Sequence, residues 1–317
     1  MSGIITIRDA IRDFLRKYNE LITPIFRFFA AYIMFWSINS MYGYHELFSR
    51  GIVTFLLSVI GSLVSTPIVV LLGGVVVLVN TMKISLEIGA FFLIVFIFMY
   101  CLYVRMFPHC GWIIALVPVL FIFKLYYAVP ILVAIFVGSS GIVPVIFGML
   151  MYYFAQYTKD VVSIMTTSPE DKDFHPYLYI FDQLKANDKI VIFSIVFAIV
   201  ILLTHLIYKL RFNYSWYVAI GVGAVCNIIF FMVAGMFLDV ELQMGELVMG
   251  SLLGGIVTAL IQVCKSMVDY SRKETVQFED DEYFYYVTAV PKFSVSSKKK
   301  DVKKITSDNV EIDEQEE

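Results

Sequence analysis

Long apolar stretches without a charged side chain recur along the chain and constrain its fold more than any other feature. Residues 51–80 and 128–157 are both longer than the roughly 20 apolar residues that one straight membrane-spanning helix requires. Only 16% of the 317 residues are charged, whereas soluble domains carry about 25%. This pattern predicts an all-α fold, that of a polytopic helical membrane protein embedded in a lipid bilayer.

The apolar runs predict about eight transmembrane helices within residues 21–268, separated by short polar turns. Residues 158–188 form the one sizeable extramembrane loop, and the spacing of Leu178, Phe181 and Leu184 predicts a short amphipathic helix within it. The predicted spans are 21–41, 51–80, 84–105, 112–127, 128–157, 189–209, 214–238 and 247–268.

The segments outside the bundle differ from it in composition. Residues 1–20 place apolar and basic side chains on opposite helical faces, which predicts an amphipathic interfacial helix or, alternatively, a cytosolic extension of the first span. Residues 269–295 form a cytosolic acidic and aromatic segment. Residues 296–317 are charged and lack aromatic side chains, so we expect disorder there.

An even number of spans places both termini on the same side of the membrane. In this arrangement Lys83, Lys124 and Lys209 fall on the side of the termini. Because Lys and Arg favour the cytosolic side, we expect a multi-pass protein of the cell membrane with both termini in the cytosol.

Two interrupted apolar stretches share the pattern Gly-Ser, four residues, Pro. Gly and Pro weaken a helix, and the backbone groups that they free in lipid must find protein or water partners. Interrupted spans in related positions indicate a transporter site, so we predict that a substrate site includes both stretches. Its residues are Gly61, Ser62, Ser65, Thr66, Pro67, Gly138, Ser139, Ser140, Gly141 and Pro144.

The relation between the two stretches admits two interpretations. The second predicted span would run inward and the fifth outward, as an inverted repeat of about three helices requires. Alternatively, both runs are ordinary kinked or tilted helices, because Gly, Ser and Pro are common in membrane helices.

The spans contain no cluster of Asp, Glu or His near their centres, nor an HExxH, GxSxG or strand-associated GxGxxG motif. We therefore expect no enzymatic activity, no metal and no cofactor. The absence of buried charge favours a neutral, zwitterionic or amphiphilic solute.

Three acidic residues cluster without a nearby Lys or Arg, namely Asp239, Glu241 and Glu246. They form either an acidic mouth that attracts cations or a solvated turn.

The C-terminal segment is the second candidate site. Its aromatic and β-branched residues have strand propensity, so it could add a strand to a partner's sheet, pack against its own protein, or remain disordered. The second interpretation of function follows: a membrane scaffold that carries no solute and recruits membrane or cytosolic proteins. The candidate partner-binding residues are Glu279, Asp280, Asp281, Glu282, Tyr283, Phe284, Tyr285 and Tyr286.

The same segment carries a resemblance to a known group. The run QFEDDEYFYYV-x-AVPK, after VDYSRKE, resembles poorly characterised bacterial multispan proteins that are labelled ABC transporter permeases, with the distinctive residues within 268–292. The resemblance implies a permease. Because the sequence has no GxxxxGK[ST] motif, ATP use would require a separate ATPase partner. Nucleic acid is not an expected partner, because the basic cluster at 298–300 has no aromatic stacking platform.

Overall fold

A computed structural model describes residues 18–167, 174–210, 214–237, 240, 243–266, 274–279 and 284–289. The predicted helical membrane class is confirmed, because six of the described helices are long and apolar enough to cross a membrane and four shorter apolar helices accompany them. The count of about eight spans stays a prediction. The expectations for residues 1–17 and 296–317 lie outside the described residues.

The described residues contain twelve α-helices. The first six are α1 (Asn19–Tyr42), α2 (Glu46–Ser49), α3 (Gly51–Leu63), α4 (Thr66–Ile84), α5 (Leu86–Met99) and α6 (Gly111–Ile122). The next six are α7 (Val129–Phe136), α8 (Ile142–Thr167), α9 (Pro176–Ala186), α10 (Asp188–Lys209), α11 (Ser215–Phe237) and α12 (Met244–Ser266). Shorter helical turns are the π-helical Tyr100–Val104 and the 3₁₀ turns Pro108–Cys110, Tyr126–Ala128 and Ser139–Gly141.

Side-chain caps and prolines explain where several helices begin. The Ser85 hydroxyl accepts a hydrogen bond from the Glu87 amide at 3.2 Å, and the Asn187 side chain accepts one from the Lys189 amide at 2.9 Å. These bonds satisfy amides that have no partner inside their own helix. Pro67 lies in the first turn of α4, where the missing N–H costs nothing.

The apolar run 51–80 contains two helices, α3 and α4, and the chain reverses direction between them. Gly61 in α3 packs against the middle of α1, since a Cβ placed on it would lie 2.9 Å from the Cβ of Ala31. The Asn80 side chain in α4 then accepts hydrogen bonds from the amides of Tyr44 and His45, at 3.1 and 2.9 Å, just beyond the end of α1. The expectation of one span is therefore wrong for this run, which leaves and returns at the same end of the bundle.

The run 128–157 reverses in the same way. His205 Nδ1 lies 3.2 Å from the carbonyl oxygen of Ala134, so α7 follows α10 toward the end where α10 finishes. After the 3₁₀ turn at residues 139–141, α8 returns. The Asn187 side chain donates a hydrogen bond to the Tyr157 hydroxyl just before α10 begins. The second run is therefore also two helices rather than one span.

Both reversals open at one end of the helical unit, which we call the tyrosine end because Tyr42, Tyr126 and Tyr157 lie there. The Tyr42 hydroxyl donates to the carbonyl of Met151 in α8 at 3.4 Å, which links the end of α1 to α8. The opposite end, where His205 lies beside Gly138, is the histidine end. Because both reversals enter from the same end, the inverted-repeat interpretation is wrong.

Because the two long runs turn back, two lysines lie at a different end of the bundle from the one that the sequence predicts. Lys83 and Lys124 lie at the tyrosine end, whereas α1 begins at the histidine end, so the expectation that both fall on the side of the termini is wrong. Gln262, near the end of α12, donates to the Tyr208 hydroxyl at 3.4 Å at the histidine end. The start of α1 and the end of α12 therefore share one end of the unit. The position of the termini themselves stays a prediction, because they lie outside the described residues.

The core is richest in aromatic side chains where α6, α7, α10 and α11 meet. Tyr127, Phe193, Phe197 and Phe231 are all buried there, and the rings of Phe193 and Phe231 are 4.9 Å apart. Such contacts add to the packing that holds helices together in lipid, where apolar side chains gain little by leaving the hydrocarbon.

Two elements outside the spans match the sequence in type. The predicted helix within the loop is confirmed as α9, whose Ile180 is fully buried. The C-terminal segment forms an antiparallel hairpin of β1 (Glu274–Glu279) and β2 (Phe284–Ala289), a separate compact unit. The strand propensity of the segment is thus realised by pairing with itself, with Gln277 opposite Tyr286.

Candidate functional site

The first interrupted stretch forms the reversal between α3 and α4. The Ser62 hydroxyl donates to the Val59 carbonyl of its own helix at 2.7 Å, so its proton is already engaged. Ser65 precedes α4 without capping it through its side chain, and Pro67 lies in the first turn of the helix. Gly61 and Thr66 line a cavity of about 320 Å³ beside α1. The structure thus brings two of these five residues to a cavity.

The second stretch forms the turn between α7 and α8. Gly138 has φ +85°, a left-handed conformation that side chains rarely adopt, and a Cβ there would lie 2.5 Å from His205 Cε1. The Ser140 carbonyl accepts a hydrogen bond from the Tyr103 hydroxyl. Ser139 is exposed, whereas Gly141 and Pro144 are buried. These residues build a turn that is held by packing against α10.

The two stretches do not form one site in the part of the chain that the structure describes. The first packs against α1 and the second against α10. Gly61 and Thr66 line a cavity whose described walls include no residue of 138–144. Each stretch marks a break in a helix, and the two line no common cavity among the described residues, so a substrate site at either stretch stays a prediction.

The C-terminal candidate residues fall on or beside the hairpin. Glu279 ends β1 and is paired with Phe284, which begins β2. Phe284 and Tyr285 are exposed, and Tyr286 continues the strand. Asp280, Asp281, Glu282 and Tyr283 lie outside the described residues. Binding of a partner through this segment stays a prediction.

A larger cavity, which we call the tyrosine cavity, lies at the tyrosine end between α6, α8, α10, α11 and α12. Its volume is about 900 Å³, within the range of small-molecule sites in proteins. Aromatic rings dominate its wall, and charged or amide side chains complete it. The lining includes Phe121, Tyr126, Tyr127, Tyr152, Tyr153, Tyr157 and Phe193, with Lys124, Gln156, Lys189, Gln243 and Glu246.

The inner wall of the tyrosine cavity is apolar and tightly packed. Phe121, Tyr127 and Phe193 are at most 5% exposed. The ring of Tyr127 lies 5.9 Å from that of Phe193, and the ring of Phe121 lies 4.8 Å from that of Tyr152. This aromatic floor closes the cavity toward the middle of the bundle.

A buried amide holds the floor in place. Asn227 in α11 is fully buried, and its side-chain nitrogen donates to the Tyr127 carbonyl and to the Ser251 hydroxyl, both at 2.9 Å. Gly254 in α12 packs against this turn, because a Cβ there would lie 2.6 Å from Ala128 Cα. The absence of a side chain at Gly254 therefore allows α12 to approach this turn closely.

The rim of the cavity carries an ion pair. Lys124 Nζ lies 2.8 Å from Glu246 Oε1, and the Tyr126 hydroxyl donates to Glu246 Oε2 at 3.1 Å. The hydrogen bond to Glu246 raises the pKa of Lys124 above its ordinary value. Glu246 belongs to the acidic cluster that has no Lys or Arg nearby in sequence, and the lysine that neutralises it is 122 positions away.

A helix-ending turn presents Lys124 at this rim. Its φ is +58°, and the Leu125 amide donates to the Leu120 carbonyl at 2.8 Å, a pattern that ends many helices. Glycine usually occupies such a left-handed position. A lysine there accepts a backbone cost of about 1 kcal/mol, and its side chain gains the contact with Glu246.

Sequence reasoning missed the tyrosine cavity. Its main signal is the recurrence of tyrosine at the ends of predicted spans, as at Tyr126, Tyr127, Tyr152, Tyr153 and Tyr157. Tyrosine at span ends ordinarily indicates an interfacial aromatic belt, so the pattern alone does not distinguish a belt from a cavity wall.

Comparison with known proteins identifies no relative of this chain. No protein-family model matches the chain, and neither a curated protein nor a solved structure shows significant similarity to it.

Proposed function

We propose that this chain is a permease-like membrane protein that receives a neutral or amphiphilic solute, zwitterions included, in the tyrosine cavity. The cavity itself is the observation that carries the proposal. It combines a volume of about 900 Å³ with an aromatic inner wall and a few polar groups, as small-molecule sites do. Neither interrupted stretch offers a comparable space.

The wall suggests how a solute would lie. The buried rings at the floor suit an apolar or aromatic body, and their faces also attract a cationic group. At the rim, Glu246 accepts hydrogen bonds and Lys124 and Lys189 donate them, so a polar or zwitterionic head finds partners of both signs. A solute would therefore insert its apolar part first and leave its head at the rim.

We propose the same orientation as the sequence predicts, with the histidine end toward the cytosol of a cell-membrane protein. Arg8, Arg12, Arg16 and Lys17 precede α1, which begins at that end. The tyrosine cavity would then open on the outside. The resemblance of residues 268–292 to permeases labelled as ABC transporters supports a separate ATPase as the partner that drives release.

The test fills the cavity without changing the rest of the helix. Gly235 lines the cavity from α11, so Gly235→Leu places a side chain in it. Gly221→Leu on the same helix is the matched control, because nothing lies within 4 Å of a Cβ there. Equilibrium dialysis of the protein in nanodiscs, with empty nanodiscs subtracted, would measure binding of hexylphosphocholine, phosphocholine and maltose.

We expect at least one probe to bind, and Gly235→Leu to weaken that binding by about tenfold or more because the space is filled. Gly221→Leu should bind as the wild type does. Equal binding by both variants would refute the cavity as the site. Flux of the bound probe into proteoliposomes then separates a self-sufficient carrier from a subunit that requires a partner.

The C-terminal hairpin supports a second candidate, a scaffold that recruits proteins. A two-stranded sheet has two edges that can accept another strand, and Phe284 is 66% exposed. Deleting residues 274–289 should abolish co-purification of partners if the protein is a scaffold. Solute binding in nanodiscs should survive the same deletion if the tyrosine cavity is the site.

A further inference from the structure

A second cavity, which we call the arginine cavity, lies at the histidine side of the bundle between α1, the reversal of α3 and α4, and the first half of α6. Its volume is about 320 Å³. Its wall consists of apolar or small side chains such as Met34, Val69 and Leu116, with the Thr66 hydroxyl beside them. Among the described residues that line it, Arg27 is the one that carries a charge.

Arg27 stands within an apolar part of α1, between Phe26 and Phe28. Among the described residues it has no carboxylate partner within ion-pair distance, whereas Lys124 at the other end does. A charged side chain in a membrane-embedded helix is costly unless it reaches headgroups, water or an anion. The guanidinium therefore requires an anionic or aqueous partner at the mouth of an otherwise apolar cavity.

Trp112 indicates at which level of the bilayer the cavity opens. It lines the same cavity from the start of α6 and is 43% exposed. Tryptophan and arginine both favour the headgroup level of a bilayer, where an apolar body and a polar tip are accommodated together. Their shared position at the mouth places it where a lipid headgroup would lie, with the apolar walls leading away from it.

We propose that the arginine cavity binds an anionic phospholipid from the leaflet at the histidine end. The Arg27 guanidinium would hold the phosphate through paired hydrogen bonds, which its planar donors favour. One acyl chain would occupy the space between Met34, Val69 and Leu116. The interrupted helix provides that space, because Gly61 and Val64 form the part of the wall where α3 ends. This site is independent of the tyrosine cavity.

The first test compares lipids bound to the purified full chain. Native mass spectrometry from nanodiscs with equal phosphatidylglycerol and phosphatidylcholine should show retained phosphatidylglycerol in the wild type. Arg27→Gln should lower that retention by about tenfold through loss of the charged hydrogen bonds, and Arg27→Lys should restore part of it. Arg105→Gln, an exposed arginine outside this wall, is the matched control and should retain lipid normally. Equal retention by Arg27→Gln and the control would overturn the proposal.

A second measurement does not depend on the fold of an arginine variant. A photoreactive amino acid at Leu116, within the apolar wall, should crosslink a phosphatidylglycerol acyl chain in the otherwise wild-type protein. Ala115→Phe, which fills the same wall, should suppress that product. Crosslinking of free oleate in place of the phospholipid would overturn the assignment of the ligand, and the absence of any lipid product would overturn the site.

Discussion

Replacement of Asn227 by leucine tests how the floor of the tyrosine cavity is held. The leucine side chain keeps the branched shape of asparagine but is larger and apolar, so it removes two hydrogen bonds, to the Tyr127 carbonyl and to the Ser251 hydroxyl, both at 2.9 Å. Hydrogen bonds between membrane helices contribute about 0.6 kcal/mol on average and about 1.7 kcal/mol at most. The two bonds together therefore contribute about 1–3 kcal/mol.

One contribution to the free energy of unfolding opposes this loss. Asn227 Oδ1 is buried and accepts no hydrogen bond from the described residues, and removal of an unsatisfied buried acceptor recovers about 1 kcal/mol or more. The polar groups alone therefore give a net destabilisation of about 0–2 kcal/mol, and the larger leucine at this fully buried position adds about 1–3 kcal/mol of overpacking strain. Ser251→Ala should cost about one bond, and the double variant should resemble Asn227→Leu, because both changes remove the same contact.

The assay is reversible unfolding in mixed micelles by sodium dodecyl sulphate, followed by circular dichroism. Thr258→Val is the matched control on α12, because the Thr258 hydroxyl donates only to the Gly254 carbonyl of its own helix, at 2.6 Å. This control should change the free energy of unfolding by less than about 0.5 kcal/mol. A free energy for Asn227→Leu equal to that of the control would refute the role of this amide in joining α11, α12 and the Tyr127 turn.

Two further predictions follow from backbone and charge. Gly138→Ala should destabilise the protein by at least about 1–3 kcal/mol in the same assay, because φ is +85° and the new Cβ would meet His205. Gly221→Ala is the control and should leave stability unchanged, because the new Cβ lies in open space. Equal stability of the two variants would contradict this prediction. The Lys124–Glu246 pair should stabilise the fold at neutral pH and lose this effect as the pH rises above 10.5 through the raised pKa of Lys124. The melting-temperature difference between wild type and Lys124→Gln, measured from pH 7 to 11, should shrink in that direction, and a constant difference would count against the pair.

The interrupted stretches show how far local chemistry predicts structure. Pro67 and Gly138 each disrupt a continuous helix for reasons contained in a few neighbouring residues, so the breaks were predictable. Whether a break bends a helix or reverses the chain depends on partners such as Ala31 and Asn80, which pack against other elements. The same local signal is compatible with both outcomes.

The tyrosine cavity could not be predicted for a related reason. Tyrosines at span ends identify side chains that tolerate an interface, but their enclosure of one space depends on how α6, α8, α10, α11 and α12 pack. The Lys124–Glu246 pair shows the same dependence. Each residue alone indicates a polar rim, and only packing brings the two within 2.8 Å.

The sequence by itself determined the membrane class, the apolar helices, the breaks in two long runs and the strand propensity of the C-terminal segment. These properties follow from hydropathy and from backbone preferences that act over a few residues. Tertiary structure alone decided that both long runs turn back, that they enter from the same end, and that tyrosines far apart in sequence enclose a cavity. In lipid, where apolar surface is satisfied almost anywhere, close packing and a few buried hydrogen bonds select one arrangement of the helices.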